Sequence, residues 1–248
     1  MTWNIYAYNV PLAKKLLVLG DKSTHREGFI LERKTKFGSL FSEISPLPSF
    51  HKITLQECFN ECIEYIERNE YPEHPINQFA FNCLESQKNF AYQVPCNGLS
   101  TLEQTKNQDH IKNFQTVKFK IARNDIDLDI QLLKRWHQRN KKKKIRLDGN
   151  RSWTKEQLFY FFEQVSTLPI QYIEDPLKNP NHYAQISHIP IALDESLVDY
   201  PEVLKSPCVT HLIIKPTLHS KNNLTKFAKT GLPLIFSSTF ETSLGLWH

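Results

Sequence analysis

Residues 144–175 read KIRLDGNRSWTKEQLFYFFEQVSTLPIQYIED. Two short apolar stretches, KIRLD and IQYIED, flank a segment with apolar side chains at helical spacing, and Thr154 and Gln157 form a capping box at its start. A strand, a helix and a strand in this order are one βα unit of a parallel sheet. The apolar part of each strand ends in an acid, Asp148 or Glu174.

The same pattern extends through the second half of the chain. The candidate strands are FAYQVPCN, TVKFKI, KIRLD, IQYIED, IPIALD, HLIIK and LPLIFS. Between the second and third of these, NDIDLDIQLLKRW carries apolar residues at helical spacing, namely Ile126, Ile130, Leu133 and Trp136. Seven strands alternating with helices predict a parallel (β/α) barrel over residues 91–248, from which the eighth strand is missing.

The first ninety residues have a different pattern of apolar and polar positions. WNIYAY, GFILERK and SLFSEI alternate apolar and polar positions, which predicts antiparallel strands. The predicted turn residues between them are Gly20, Asp21, Gly28 and Gly38. Thr54 and Glu57 then form a capping box for a helix. Residues 1–90 are therefore predicted to be a separate α+β domain.

Composition places the chain among ordinary globular proteins. Of its 248 residues, 40% are hydrophobic and 23% charged, which excludes disordered, collagen-like and coiled-coil classes. No apolar run reaches the roughly 18 residues of a membrane span, and the first residues lack the order of a signal peptide. The five cysteines are scattered, so free thiols are expected. These features predict a cytoplasmic protein without a membrane partner.

A run of four lysines at 141–144 accounts for much of the net charge of +5 and raises the alternative of nucleic-acid binding. The run follows a predicted helix, where lysines suit the C-terminal end of the helix dipole. Only Trp136 and His137 lie nearby, so aromatic side chains that stack on bases are not interleaved with the charge. A solvated face is the favoured interpretation, and no nucleic-acid partner is expected.

Polar residues directly follow or end the apolar part of successive strands. They are Lys118 and Lys120, then Asp148, Glu174, Asp194, Lys215 and Ser237. From Lys120 onward the spacings are 28, 26, 20, 21 and 22 residues, about one βα unit each. In a parallel barrel the C-terminal strand ends gather on one face, where active sites lie. Three carboxylates and three lysines are therefore predicted to converge.

The residue types in this set predict metal-assisted proton transfer. Carboxylates from adjacent strands suit a hard cation, most often Mg²⁺, with Mn²⁺ as another possible occupant. Lys118 and Lys120 are two apart on one strand, so both should face the barrel interior. A neighbouring ammonium and burial both lower the pKa of a lysine, which predicts that one of them acts as a base. The cation would stabilise the enediolate that forms beside a carboxylate.

These residues resemble the enolase superfamily, most closely its o-succinylbenzoate synthases of menaquinone biosynthesis. The segments that carry the resemblance are REGFILERK, SEISPLPSF, VKFK, IRLDGNRSW, YIEDP, IALDES, IIKPTL and FSSTFETSLGL, in this order over nearly the whole chain. The resemblance implies an enolase-type barrel that is incomplete at its C-terminus, with an N-terminal capping domain. The segment from Gly20 to Arg26 would be a loop that closes over the pocket.

Roles for single residues follow from the resemblance. It makes Asp148, Glu174 and Asp194 the Mg²⁺ ligands, Lys120 the acid and base, Lys118 its neighbour, and Lys215 the cation on the other face of the substrate. It places Arg146 and Asn150 near the substrate and the metal, and Ser237 and Ser238 at the substrate's succinyl carboxylate. The implied partner is a small carboxylate substrate. The oligomeric state stays open.

The resemblance implies a lyase that dehydrates 2-succinyl-6-hydroxy-2,4-cyclohexadiene-1-carboxylate to 2-succinylbenzoate. One alternative is an N-acylamino acid racemase or dipeptide epimerase of the same superfamily, because these enzymes share the metal site and the lysines. Another is a shortened, catalytically impaired relative. An open barrel leaves unpaired strand edges, and a chain that continued past His248 would be expected to add a helix, a strand and a tail.

Overall fold

The computed structural model describes residues 2–18, 21–48, 50–86, 94–103 and 109–247. The chain divides into two compact units. The first unit contains residues 1–91, 214–231 and 236–248, and the second contains residues 92–213 and 232–235. The predicted division into domains 1–90 and 91–248 stays a prediction. No helix within the described ranges is both long and apolar enough to cross a lipid bilayer.

Ten strands and seven helices are described. The strands are β1 (Thr2–Val18), β2 (Asp21–Thr35), β3 (Gly38–Ile44), β4 (Gly98–Thr101), β5 (Thr116–Lys120), β6 (Lys144–Asp148), β7 (Ile170–Glu174), β8 (Ile191–Leu193), β9 (Val209–Ile214) and β10 (Leu234–Phe236). The helices are α1 (Leu55–Arg68), α2 (Pro75–Ser86), α3 (Ile126–Arg139), α4 (Lys155–Val165), α5 (Ser196–Asp199), α6 (Lys221–Ala228) and α7 (Ser243–Trp247).

The strands form two sheets. The first is antiparallel, in the order β1-β2-β3. The second has seven strands in sequence order from β4 to β10, and the pairs from β4 to β9 are parallel. This sheet is the incomplete (β/α) barrel that the sequence predicts, and the antiparallel sheet is the α+β part. The predicted fold class is therefore confirmed.

Both predicted capping boxes are present. Thr54 caps α1 together with Glu57, and Thr154 caps α4 together with Gln157, each with reciprocal side-chain and backbone hydrogen bonds. Asp125 caps α3 by accepting a hydrogen bond from the backbone of Asp127. These caps satisfy N–H groups that the first turn of a helix leaves unpaired, so α1, α3 and α4 each begin at a local capping residue.

Three local predictions are wrong. Gly28 lies inside β2 opposite Tyr8 and not in a turn. A Cβ atom at Gly28 would lie 2.6 Å from the carbonyl oxygen of Ile44, so the close approach of β3 requires glycine there. Residues 21–26 of the predicted closing loop belong to β2, while Gly20 lies outside the described residues.

The third wrong prediction concerns the first barrel strand, placed at FAYQVPCN (residues 90–97). Residues 90–93 lie outside the described ranges, and residues 94–97 form no regular element. Pro95 lacks the N–H that a ladder hydrogen bond needs. The strand instead begins at Gly98, which pairs with Val117 of β5.

The lysine run contains one residue with a structural role. The ammonium group of Lys143 donates hydrogen bonds to the carbonyl oxygens of Ile111, Lys112 and Phe114 at 2.7–2.8 Å. Lys141 and Lys142 are exposed in the turn after α3. Lys143 therefore closes the turn before β5, because the carbonyl oxygens that end a short helical segment attract a cation.

A buried arginine joins distant segments within the first unit. The guanidinium of Arg26 donates to the carbonyl oxygens of Ser45 (2.7 Å), Pro46 (3.1 Å), Phe240 (3.0 Å) and Thr239 (3.4 Å). Arg26 is only 4% exposed, so these carbonyl oxygens replace its lost hydration. The segment after β10 is thus attached to β2 and to the chain that follows β3.

A second contact of the same kind lies beside it. The carboxylate of Glu43 accepts hydrogen bonds from the backbone N–H groups of Thr242 (3.0 Å) and Gly245 (2.9 Å) at the start of α7. It also accepts from the hydroxyl groups of Thr242 (2.6 Å) and Tyr8 (2.5 Å). Charged acceptors at a helix start satisfy unpaired N–H groups. Polar contacts with sequence separations of about 200 residues therefore hold this unit together.

We expect Arg26→Met to lower the free energy of unfolding by about 3 kcal/mol or more, because several hydrogen bonds to a charged group are lost together. Arg33→Met is the matched control, since among the described residues Arg33 donates one 3.0 Å hydrogen bond, to the carbonyl oxygen of Leu84, and lies 5.7 Å from the ring centroid of Trp3. Its expected loss is about 1–2 kcal/mol. Urea unfolding measures both, and equal losses would contradict this role of Arg26.

Candidate active site

The register of the parallel strands aligns the predicted site residues. Lys120 pairs with Asp148 across β5 and β6, and Asp148 pairs with Glu174 across β6 and β7. Glu174 in turn pairs with Ala192 of β8, two residues before Asp194. Because the strands are parallel and their last residues are paired with one another, the strand ends meet at one edge of the sheet. Active sites of this architecture lie at this edge.

The alternation of side chains along β5 separates core from site. Val117 and Phe119 are fully buried, and the ring centroid of Phe119 lies 4.8 Å from that of Trp136 in α3. Lys118 and Lys120 point to the opposite face, where their ammonium groups contact carboxylates. The prediction that the two lysines share a face agrees with these contacts, since side chains two apart on a strand lie on one side.

Five predicted residues form one contact network. The Lys118 Nζ atom lies 2.5 Å from Glu174 Oε1 and 3.1 Å from Asp148 Oδ2. The Lys120 Nζ atom lies 3.3 Å from the same Asp148 oxygen and 3.0 Å from Asn150 Oδ1. The Lys120 side chain is 30% exposed and that of Lys118 only 17%. Lys120 is therefore the more accessible of the two ammonium groups.

The charges in this network determine the direction of each pKa shift. Burial alone would lower the pKa of Lys118, but the carboxylates of Glu174 and Asp148 outweigh it and raise that pKa. Burial opposes ionisation of Asp148, yet Lys118 and Lys120 hold its pKa below the usual value. Burial raises the pKa of Glu174 well above its usual value. Nearby acids therefore outweigh burial at Lys118. The prediction that one of the two lysines acts as a base stays a prediction.

The three buried acids at this edge match a hard cation in the type of donor atom that they offer. Asp148, Glu174 and Asp194 are 3–7% exposed, and Glu174 Oε2 is buried without a hydrogen-bond partner among the described residues. Carboxylate oxygens of this kind are the ligands that Mg²⁺ prefers. Within the described ranges, no three acidic, imidazole or thiol side chains are grouped closely enough to hold a metal ion. The ammonium of Lys118 lies between two of the acids.

Backbone strain is concentrated directly after the site strands. Ala122 (φ 61°), Asn150 (φ 45°), Arg151 (φ 53°) and Asp175 (φ 34°) all have left-handed conformations although none is glycine. Such residues cost of order 1–3 kcal/mol each and cluster at functional sites. The three segments that follow β5, β6 and β7 therefore share a strained geometry that directs their side chains.

Arg146 lies two residues before Asp148 in β6. Its guanidinium donates hydrogen bonds to Gln171 (2.9 Å) and Asn97 (3.0 Å) and lies over the ring of Tyr172, 5.2 Å from the centroid. These contacts fix the orientation of Arg146. Its predicted position near the substrate stays a prediction.

Lys215, Ser237 and Ser238 belong to the first compact unit. Lys215 directly follows β9, is 6% exposed, and its ammonium lies 4.5 Å from the ring centroid of Phe50. The backbone N–H of Ser237 donates to the carbonyl oxygen of Ile214 at 2.8 Å. These contacts place Lys215 and Ser237 at the ends of neighbouring strands. The substrate-binding roles of the two serines stay predictions.

Asp175 adjoins the predicted site residues but is not among them. It directly follows Glu174, is 1% exposed, and accepts hydrogen bonds from backbone N–H groups after β8. The doubled acid in YIED was the available signal. Only the packed structure shows that Asp175 contacts the amides of Asp194 and Ser196, because these groups lie on another segment of the chain.

Sequence comparisons match both parts of the chain to known families. Residues 1–86 match the family described as MenC, N-terminal domain, and residues 101–210 match the family described as Enolase C-terminal domain-like. An o-succinylbenzoate synthase from Vibrio cholerae is 27% identical over 98% of this chain and 82% of its own length. The corresponding protein from Proteus mirabilis is 27% identical over 98% and 83%. The chain belongs to the enolase superfamily.

Solved structures agree on the fold. The o-succinylbenzoate synthase from Thermosynechococcus elongatus BP-1, complexed with Mg in the active site, aligns with a TM-score of 0.80 at 24% identity, over 99% of this chain and 87% of that one. A dipeptide epimerase from Methylococcus capsulatus, complexed with Mg and a dipeptide, aligns with a TM-score of 0.75 at 19% identity, over 99% and 84%. The predicted family is confirmed, as is the prediction that the protein is an enzyme of the lyase class.

We expect Lys118→Met to lower the free energy of unfolding by about 3–5 kcal/mol in EDTA at neutral pH, because it leaves buried acids unpaired. Lys120→Met is the matched control, and its loss should be smaller because that ammonium is more exposed and contacts one carboxylate. Urea unfolding of both variants measures the difference. A larger loss for the Lys120 variant would contradict the charge balance described above.

Proposed function

We propose that this protein catalyses the o-succinylbenzoate synthase reaction, the dehydration of 2-succinyl-6-hydroxy-2,4-cyclohexadiene-1-carboxylate to 2-succinylbenzoate in menaquinone biosynthesis. The observation that carries the proposal is the accessible ammonium of Lys120 beside Asp148 and Asn150, in a network whose other lysine is paired with two acids. The matches to synthases along nearly the whole chain support it.

Lys120 is the proposed proton carrier. Its ammonium is 30% exposed, whereas Lys118 lies between Glu174 and Asp148 and neutralises their charge. A proton carrier must reach the substrate and change charge without leaving buried acids unpaired, and Lys120 meets this requirement better. Lys120 would take the proton from the carbon that bears the ring carboxylate. It would then return a proton to the departing hydroxyl, which leaves as water.

The acids would hold the cofactor. A bound Mg²⁺, or Mn²⁺ in its place, would supply positive charge that stabilises the enediolate formed when the proton leaves. Asp148, Glu174 and Asp194 are the proposed ligands, because all three are buried oxygen donors at the strand ends. Asn150 contacts Lys120 at 3.0 Å and would orient its ammonium towards the substrate.

Charge also determines how the substrate would bind. The substrate has two carboxylates, so the proposal requires cations outside the metal site. Lys215 is the proposed cation for the opposite face of the ring, and its ammonium already lies against the aromatic face of Phe50. Arg146 is a proposed neighbour of the substrate, and the ends of β9 and β10 would supply Ser237 and Ser238 for the succinyl carboxylate. A small carboxylate is thus the proposed partner, and the cytoplasm the proposed location.

A second candidate is racemisation or epimerisation of N-acylamino acids or dipeptides. It is favoured by the structural similarity to a dipeptide epimerase, with a TM-score of 0.75. The same lysines and acids would serve both reactions, since each begins with removal of a proton next to a carboxylate. Turnover of an N-succinyl amino acid without turnover of the cyclohexadiene substrate would favour this candidate and contradict the synthase proposal.

We expect the purified protein to convert the cyclohexadiene substrate in the presence of Mg²⁺. The rate of product formation should fall when EDTA removes the metal ion. Lys120→Ala should lower kcat by about 10²- to 10⁴-fold, the usual contribution of a general acid and base. Asp148→Asn should abolish the response to Mg²⁺. Ultraviolet absorbance of the aromatic product measures each rate.

Lys142→Ala serves as the control for loss of a lysine, because Lys142 is exposed in the turn after α3. Its rate should equal that of the wild type. Equal rates for the wild type, Lys120→Ala and Asp148→Asn would refute the assigned mechanism. Absence of turnover in the wild type would instead support a catalytically impaired relative.

A further inference from the structure

We infer that Asp175 is a positioning residue: its carboxylate fixes the backbone of residues 194–196 and thereby aims Asp194 towards a divalent cation that Asp175 itself does not bind. The inference rests on the proposed metal site and extends it to a residue outside the ligand set. It is carried by hydrogen bonds, burial and backbone geometry within the second unit.

The side chain of Asp175 contacts the loop that carries Asp194. One oxygen, Oδ2, accepts hydrogen bonds from the backbone N–H groups of Asp194 (3.2 Å) and Ser196 (2.9 Å). These amides follow β8 and include the amide of Asp194 itself. Because a carboxylate that accepts backbone hydrogen bonds orients the peptide groups that donate them, Asp175 sets the direction in which the Asp194 side chain leaves the chain.

The backbone of Asp175 is held from both sides. Its N–H donates to the carbonyl oxygen of Ala192 at 3.0 Å, and its own carbonyl oxygen accepts from the N–H of Arg151 at 2.6 Å. Its φ of 34° is left-handed. The strained conformation turns Asp175 away from Glu174, although the two residues are adjacent. Asp175 therefore links the segment after β6, the end of β7 and the segment after β8.

Two observations separate Asp175 from the cation ligands. Its Oδ2 atom is already occupied by the backbone N–H groups of Asp194 and Ser196, whereas Asp148 and Glu174 accept from the ammonium of Lys118. The nearest described cation is Arg151, whose Nε lies 3.9 Å from Oδ2 and whose Nη1 binds Asp199 at 2.8 Å. Neither lysine of the site is paired with Asp175 in the described contacts, whereas Asp148 and Glu174 both contact Lys118.

The position of the acceptor and its charge can be separated by substitution. Asp175→Asn keeps an oxygen where Oδ2 lies and removes the charge. Asp175→Glu keeps the charge and displaces the oxygen by one methylene, and Asp175→Ala removes the acceptor. The control is Asp199→Ala, because Asp199 also binds Arg151 but is 40% exposed at its side chain.

The test is the dissociation constant for Mn²⁺, measured by electron paramagnetic resonance of the free ion without any substrate. We expect Asp175→Ala and Asp175→Glu to weaken Mn²⁺ binding by about 10- to 100-fold, the usual effect of losing a residue that orients a metal ligand. Asp175→Asn and Asp199→Ala should stay within about threefold of the wild type. Thermal unfolding identifies variants that fold, and either Asp175→Ala or Asp175→Glu suffices for the comparison with Asp175→Asn.

Three other outcomes would contradict the inference. Wild-type affinity in a folded Asp175→Ala or Asp175→Glu variant would exclude a positioning role. Equal weakening by Asp175→Asn and Asp175→Ala would show that charge matters and the acceptor position does not. A wild-type protein that binds no Mn²⁺ would remove the proposed metal site together with the inference, whereas normal wild-type binding with unaffected variants would remove the inference alone.

Discussion

The ammonium of Lys118 lies between the carboxylates of Glu174 and Asp148, at 2.5 Å and 3.1 Å, where all three side chains are largely removed from water. Two buried acids so close together are costly unless cations balance them. Lys118 contacts both acids and so neutralises most of their negative charge, while Lys120 makes a longer contact of 3.3 Å to Asp148. The proposed division of work between the two lysines rests on this constraint, because Lys118 contacts two acids and Lys120 contacts one.

The parallel register makes this arrangement possible. Pairing of Lys120 with Asp148 and of Asp148 with Glu174 places one polar side chain per strand at the same height. On the other face of the strands, apolar residues such as Phe119 pack against the helices. A shift of one residue in the strand register would move the site residues to the core face and the core residues to the site face. The register therefore determines the core and the site together. Left-handed residues then begin the loops that follow β5, β6 and β7.

Contacts between residues distant in sequence determine the remaining architecture. Within the first unit, Arg26 and Glu43 bind the segment from Thr239 to Gly245, and these hydrogen bonds replace the water that the buried charges lose. Within the second unit, Asp175 binds the amides of Asp194 and Ser196. In both cases a buried polar side chain fixes a loop through backbone groups. Such contacts leave no periodic signal in the sequence.

Local chemistry accounts for what could be predicted. Apolar periodicity and capping boxes located α1, α3 and α4, and the polar residue at each strand end identified the acids and lysines, because these signals depend on neighbours a few residues away. Gly28 and the first barrel strand were predicted wrongly, because the close approach of β3 determines the first and the pairing of Gly98 with Val117 determines the second. The raised pKa of Lys118 and the position of Asp175 depend on charges and amides from other strands. Packing alone brings those groups together, since electrostatic and hydrogen-bond energies depend on distance in space.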